Sequence, residues 1–337
     1  MPTKASRARR WIKGGKAVPK WSRLGIFYVQ LKKESGNKMQ VIVLGLDTGA
    51  RFDGVAIVSR KEVLQTGMLE LPKDVVRRMN QRRRQRRLRR YRKCRRRPCR
   101  FNNRKRPAGW MAPSQNAKVE FRLRVVEGLI ELYPATKAVV EDVRFDHYRK
   151  RWGSFFSTTE IGKTILYNVL FDWFGEVTLV DGVDTAKSGE EYRARKSSDK
   201  NERSVHSHAI DALVISAKEV GLDVLKVYSF FVWKRYQYPR GQLRKFQYEK
   251  GGKRRREGGS MSLNGFRKGD IVLWNDRLAR VGGYMNRRIS LHSFDVDNRR
   301  FTQKANPDEC VRLFNQKIMN SAIPPATEAT GFLMEGL

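Results

Sequence analysis

Apolar residues gather into short β-branched runs near the start of the chain. Residues 41–46 (VIVLGL), 54–59 (GVAIVS) and 63–71 (VLQTGMLEL) are separated by turn residues and predict three strands of an antiparallel meander. The pattern then changes. From 73 to 97 the apolar residues Val75, Val76, Met79, Leu88 and Tyr91 are too sparse for a core-facing stripe. The run nevertheless has no Gly or Pro before Pro98 and is rich in helix formers, which predicts a long helix once its charge is neutralised. A Pro-, Asn- and Gly-rich loop covers 98–116, and Val119, Leu123, Val126 and Ile130 predict a helix over 118–132. Residues 138–143 (AVVEDV) predict a short strand, 158–174 an amphipathic helix, and 176–181 (EVTLVD) another strand. After a polar stretch, 205–219 predicts a helix with Ala209, Leu213 and Ile215 inward. Without the basic segment the order is βββαβα, a polar stretch, then α.

The last third reads differently. It opens on an aromatic and basic stretch, FFVWKRYQYPR, followed by GGKRRREGGS, whose composition predicts a mobile segment. FRKGDIVLWNDRLARVGGYMNRRISLHSF then alternates short β-type runs with turns and predicts a small β-rich module.

Charge changes this picture. The 337 residues include 71 Lys and Arg against 34 Asp and Glu, a formal charge of +37, so the expected partner is nucleic acid. Nineteen of the basic residues fall within 75–119, which contains no acidic residue at all. A basic tail at a terminus would imply only adhesion to polyanions, but this run lies between two strands that each carry a carboxylate, Asp47 and Glu141. Three cysteines, Cys94, Cys99 and Cys310, with no C-x-x-C spacing argue against a disulfide framework and a structural zinc site. With no apolar run of membrane-spanning length and no signal-type apolar core near the N-terminus, a cytosolic protein with no membrane partner is expected.

The acidic residues have bland readings too. An Asp before Gly49 at a strand end is a common turn former, and Asp142 and Asp146 compete with Glu141 for any role in the second strand. Asp211 sits between Ile210 and Ala212 in an apolar helix, where a charge is costly unless something compensates it.

Acids on the first strand, the fourth strand and the last helix, within GLDTGARFDGVAIV, VVEDV and HSHAIDAL, resemble the RNase H and RuvC family of nucleases. The resemblance implies an α/β, RNase H-like core in which the first and fourth strands lie side by side. It also implies that Asp47, Glu141, Asp211 and His208 hold two Mg2+ ions, with Mn2+ as a substitute, for phosphodiester hydrolysis. Asp47 would bridge the ions, and His208, three residues before Asp211 on one helix, would coordinate or help activate water. His206 is the weaker candidate. An Asp-x-Gly after a first strand also opens the actin-like ATPase fold, a reading that leaves the basic run unexplained.

An Arg-rich helix between the first two nuclease motifs is similar to the bridge helix of RNA-guided nucleases of the IscB and IsrB type. RRMNQRRRQRRLRRYRKCRRR fits it, and MPTKASRARRWIKGGKAVPK resembles their PLMP domain, with Met1, Pro2, Gly15, Lys16 and Ala17 in place. Only 66 residues separate Glu141 from His208, without C-x-x-C, which leaves no room for an HNH nuclease and points to the IsrB type. The resemblance covers nearly the whole chain. It implies a PLMP-like domain over 1–40, nuclease part I over 41–72, the bridge helix over 73–97 and a basic linker over 98–117. Nuclease parts II and III then occupy 118–220, and a β-rich domain recognising RNA and the target-adjacent DNA motif occupies 221–337.

By the same resemblance the protein is a monomer that binds a long structured guide RNA and double-stranded DNA, and nicks the displaced, non-target strand. It would be prokaryotic and nucleoid-associated when on DNA. Guide and heteroduplex phosphates would lie along Arg77, Arg78, Arg82, Arg83, Arg84, Arg86, Arg87, Arg89, Arg90, Arg92, Lys93, Arg95, Arg96 and Arg97. Trp233, Tyr236, Trp274, Arg287 and Arg288 are candidates for stacking or DNA contact, with packing as the competing role for each aromatic. Two other functions stay open: a guide-independent RuvC-like resolvase or transposon nuclease, and a non-catalytic RNA-binding protein on an RNase H fold.

Overall fold

The computed structural model describes residues 3–33, 40–72, 75–90, 110–143, 158–194, 197, 199, 202–236, 265–285 and 287–324. Helix α1 (Ala5–Lys13) and strands β1 (Ala17–Trp21) and β2 (Phe27–Leu31) come first, followed by β3 (Ile42–Asp47), β4 (Phe52–Ser59) and β5 (Val63–Glu70). Next are α2 (Val75–Arg90), α3 (Pro113–Ile130), β6 (Lys137–Glu141), α4 (Thr158–Phe174), β7 (Val177–Val180), α5 (Gly182–Glu191) and α6 (Val205–Val220). The remainder is strands: β8 (Phe230–Arg235), β9 (Asp270–Trp274), β10 (Arg277–Met285), β11 (Arg288–Ser293), β12 (Arg300–Ala305), β13 (Val311–Asn315) and β14 (Ile318–Ile323).

The chain divides into two compact units, one built from Asn37–Phe231 with Ile323–Leu337, the other from Pro2–Gly36 with Val232–Ala322. In the first, strands run in the order β5-β4-β3-β6-β7. β3, β4 and β5 pair antiparallel, while β6 joins β3 and β7 joins β6 in parallel. This is a mixed sheet in which the strand of Asp47 lies beside the strand of Glu141, as the RNase H-like reading expects. The β-branched runs expected at 41–46, 54–59 and 63–71 form its first three strands, buried along nearly their whole length. Burial on both faces explains why these strands read as continuous apolar runs rather than alternating ones.

Helix α6 lies across β3, β4, β5 and β6 and buries Ala209, Ile210, Leu213, Val214, Ile215 and Ala217. Two glycines allow it that close. A Cβ on Gly45 of β3 would stand 2.2 Å from the carbonyl of Ala212, and one on Gly54 of β4 would stand 2.0 Å from the carbonyl of His208. Ser204 caps the start of α6 by accepting from the Ser207 N–H, and Gly221 ends it in the left-handed conformation that glycine adopts without strain.

Two helices depart from the sequence expectation. Helix α3 begins at Pro113, inside the segment expected to be a loop, because proline at the first helical turn forfeits no hydrogen bond. Its buried face is Val119, Phe121, Arg122, Val125, Val126 and Leu129, whereas Leu123 and Ile130 are only half-buried. Helix α5 was not expected at all, since the segment after β7 carries too few apolar residues to show a period. Its start is marked by Asp181, whose carboxylate accepts from the Val183 and Asp184 N–H groups at 2.9 and 2.8 Å. The long basic helix is seen as α2 to Arg90, exposed from Arg77 to Leu88. The rest of the expected bridge helix and the GGKRRREGGS segment lie outside the described residues.

The second unit contains the β1–β2 hairpin and a sheet of order β12-β11-β10-β9-β13. N- and C-terminal parts of the chain are joined there by buried polar groups. Gln316 donates to the Leu24 carbonyl at 3.2 Å and accepts from the fully buried Arg280 at 3.2 Å, and Trp21 stacks on Phe314 with centroids 5.2 Å apart. Among the described residues no helix is long and apolar enough to cross a membrane.

Candidate metal centre

Parallel pairing of β3 with β6 sets Asp47 opposite Glu141 at the strand ends. Helix α6, seated over Gly45 and Gly54, brings in Asp211. One ligand atom from each of Asp47, Glu141 and Asp211 lies within 4.8 Å of the others, and all three side chains are half-buried. No other such group of acidic, His or Cys ligands occurs among the described residues.

The electrostatics follow from that crowding. Burial pushes the Asp47 carboxyl well above the usual carboxylate range, a hydrogen bond shared with Glu141 adds to it, and the charges of Glu141, Asp211 and Asp53 push the same way. Three carboxylates this close cannot all ionise cheaply without a cation between them. Their oxygens suit a hard divalent ion such as Mg2+ or Mn2+, and neutralising the repulsion is what such an ion would do here.

His208 does not join the group. Its Nε2 lies 2.8 Å from the carbonyl oxygen of Glu202, and its ring packs on Phe52 with centroids 4.7 Å apart. Sharing a helix face with Asp211 is thus insufficient, because the loop before α6 and the Phe52 ring engage the imidazole first. Asp142, the competitor of Glu141, is turned into α4, accepting from Lys163 at 3.3 Å and from the Tyr167 hydroxyl at 3.0 Å. Burial, then the hydrogen bond to Asp142, raises the Tyr167 hydroxyl above its ordinary range. Asp146 lies outside the described residues.

Residues that the sequence reading passed over hold the loop after Asp47. Arg122 of α3 donates from Nε to Asp53 Oδ2 at 2.6 Å, and from Nη2 to Asp53 Oδ1 at 2.9 Å and the Gly49 carbonyl at 2.7 Å. Gly49 N–H in turn donates to Asp53 Oδ1 at 2.8 Å, and Lys118 donates to the Ala50 carbonyl at 2.6 Å. Burial works against the Arg122 charge, but Asp53, by charge and hydrogen bond, and then Asp47 hold its proton more tightly than usual. The sequence signal was an arginine inside the apolar stripe Val119, Val126, Leu129 and an aspartate inside the apolar run of β4.

The expected nucleic-acid contacts divide by exposure. Arg77, Arg78, Arg82, Arg83, Arg84, Arg86 and Arg87 are exposed along α2, which continues through Arg89 and Arg90. Arg92, Lys93, Arg95, Arg96 and Arg97 lie outside the described residues. Arg287 and Arg288 are exposed, and Trp274 is half-buried with its indole N–H on Glu309 at 3.2 Å. Trp233 is a correction: it is fully buried on β8, beside the equally buried Val232, and so presents no face to a base. Tyr236 is buried as well.

Residues 1–158 match the RRXRR protein family. The RRXRR match therefore takes in β3, α2 and β6, with Asp47 and Glu141, while Asp211 lies beyond it. The chain is also similar in structure to Thermus thermophilus RuvC in complex with a Holliday junction substrate, at 15% identity and a TM-score of 0.31 over 52% of this chain and 90% of that one. A second Thermus thermophilus RuvC structure gives 13% identity and a TM-score of 0.30 over 54% and 97%. No curated protein matches the sequence.

Proposed function

We propose that this chain is an RNA-guided DNA endonuclease that nicks one strand of its target at Asp47, Glu141 and Asp211. The observation that carries the reading is the carboxylate trio at the ends of β3, β6 and within α6, with the arginine helix α2 inserted between the first two of those elements. Divalent ions held there would supply an activated water and charge neutralisation at the leaving oxygen. Asp47, Glu141 and Asp211 would hold such ions, with the Asp47 carboxyl crowded by both of the others. His208, held against Phe52 and Glu202, is assigned to the wall of the site rather than to the metals.

The remaining chain supports the partner. Exposed arginines on every turn of α2, with no acidic residue among them, suit the closely spaced phosphates of a guide RNA and its heteroduplex. A single carboxylate trio among the described residues supports one cut per binding event. The cut strand, by resemblance to IsrB-type nucleases, is the displaced non-target one.

The test is to purify the protein from its source, sequence the RNA it carries, and supply that RNA with a matching supercoiled plasmid and Mg2+. One long structured RNA with a variable segment, and a nicked circle that disappears with EDTA, is the expected result. Random RNA fragments, or plasmid cut without any RNA, would refute guidance. A linear product from one complex would refute single-strand cutting.

A further inference from the structure

We infer that the buried Asp53–Arg122 pair is a positioning device for Asp47, an inference that rests on the reading of Asp47, Glu141 and Asp211 as a divalent-cation site. Asp47 is the last residue of β3, so its orientation toward Glu141 depends on where the chain goes next. Three successive peptide groups of that turn are held by side chains. Gly49 N–H is bound by Asp53 at 2.8 Å, the Gly49 carbonyl by Arg122 at 2.7 Å, and the Ala50 carbonyl by Lys118 at 2.6 Å.

The turn is tight as well as tethered. A Cβ on Gly49 would stand 2.0 Å from the carbonyl of Phe52, so no other residue fits there without moving the backbone. Arg122 serves through its fork: Nε and Nη2 engage both oxygens of Asp53, and Nη2 also takes the Gly49 carbonyl. Lysine has the charge, but its donors radiate from a single nitrogen and do not reproduce the planar two-nitrogen fork that grips both Asp53 oxygens. Side-chain exposures of 11% for Arg122 and 2% for Asp53 put this pair among buried ion pairs, which add little stability over apolar residues of similar volume. Holding the turn that carries Asp47 gives the pair a purpose that stability alone does not.

The experiment uses the full-length, RNA-free chain and Mn2+ as probe, with free ion followed by electron paramagnetic resonance and Asp47→Ala setting the background. Wild type is expected to bind above that background. The double variant Asp53→Val/Arg122→Met leaves no unpaired charge and is expected to melt in EDTA close to wild type. Its Mn2+ affinity is expected to fall by about 10–100-fold, the usual consequence of losing the groups that orient metal ligands. Arg122→Lys is expected to fall between the two.

A double variant that binds Mn2+ as wild type does would overturn the positioning role and leave the metal site standing. Wild type no better than Asp47→Ala would overturn the site itself, and this inference with it. Should the double variant fail to fold, Arg122→Lys decides, because unchanged affinity there is incompatible with a role for the fork.

Discussion

Asp47 and Glu141 are register partners at the ends of two parallel strands, β3 and β6, and a carboxylate oxygen of each lies within 4.8 Å of the other and of one from Asp211. Backbone pairing therefore brings to one end of the sheet two acids that are far apart in sequence. Asp211 completes the group only because Gly45 and Gly54 let α6 approach the sheet. The sheet's register and two missing Cβ atoms thus gather the three acids at one place.

Replacing Asp47 by Asn removes a charge without changing shape. In EDTA the variant should melt above wild type, because the repulsion among Asp47, Glu141 and Asp211 is relieved. Mg2+ should raise the wild-type melting temperature and leave that of Asp47→Asn nearly unmoved. Nicking should fall by about 10³-fold or more, while gel-shift affinity for guide and target stays within a few-fold. Retained nicking would remove Asp47 from the site.

The same crowding fixes a pH dependence. Asp47 in the folded, metal-free chain has a proton affinity raised above the unfolded value, so folding takes up a proton and its stability contribution is full at low pH. That contribution should be lost as pH rises from the ordinary carboxylate range through the raised folded value. Melting temperatures in EDTA should therefore decline across this window in wild type more than in Asp47→Asn. With Mg2+ present the order reverses, since ion binding displaces the proton and the gain from metal grows with pH. Parallel pH series with and without Mg2+ measure both slopes.

Gly54→Val tests the seat of α6. The added Cβ would meet the His208 carbonyl at 2.0 Å, a backbone atom that cannot swing away. Overpacking of this kind costs about 1–3 kcal/mol, and here the displaced helix carries Asp211. Urea denaturation should show the loss of stability, and metal-induced stabilisation should shrink with it. A variant as stable as wild type with its full response to Mg2+ would show that α6 can stand further from β4.

Much of this site was legible in the sequence because strands buried on both faces must be apolar throughout, so that carboxylates at their ends stand out. Asp47 and Glu141 end such runs, and Asp211 interrupts the apolar residues of helix α6. His208 misled, since helical spacing says which face a residue shares but not what reaches it first, and here Phe52 and the Glu202 carbonyl do. Helix α5 was hidden because its start is marked by one capping aspartate and its length is polar. The joining of the N-terminal hairpin to the C-terminal sheet was also out of reach. It rests on contacts such as Gln316 to Leu24, 292 positions apart, which no local pattern announces.

Helix α2 offers a prediction that does not depend on the metal site. From Arg77 to Arg90 it carries nine arginines and no acid, and its apolar Met79 and Leu88 are 45% and 68% exposed, so burial of these two side chains does little to offset the repulsion. In low salt without nucleic acid the segment should be poorly helical, and circular dichroism should report a gain in helix when a structured RNA is added. Binding itself should follow counterion release, with log affinity falling linearly in log salt at a slope of about 0.7–0.9 per phosphate neutralised. Changing Arg82, Arg83, Arg86 and Arg87 together to Gln should then reduce that slope by about three and weaken binding at every sequence alike. A slope left unchanged would mean that these arginines face solvent in the complex, and the phosphate-binding role of α2 would have to be given up.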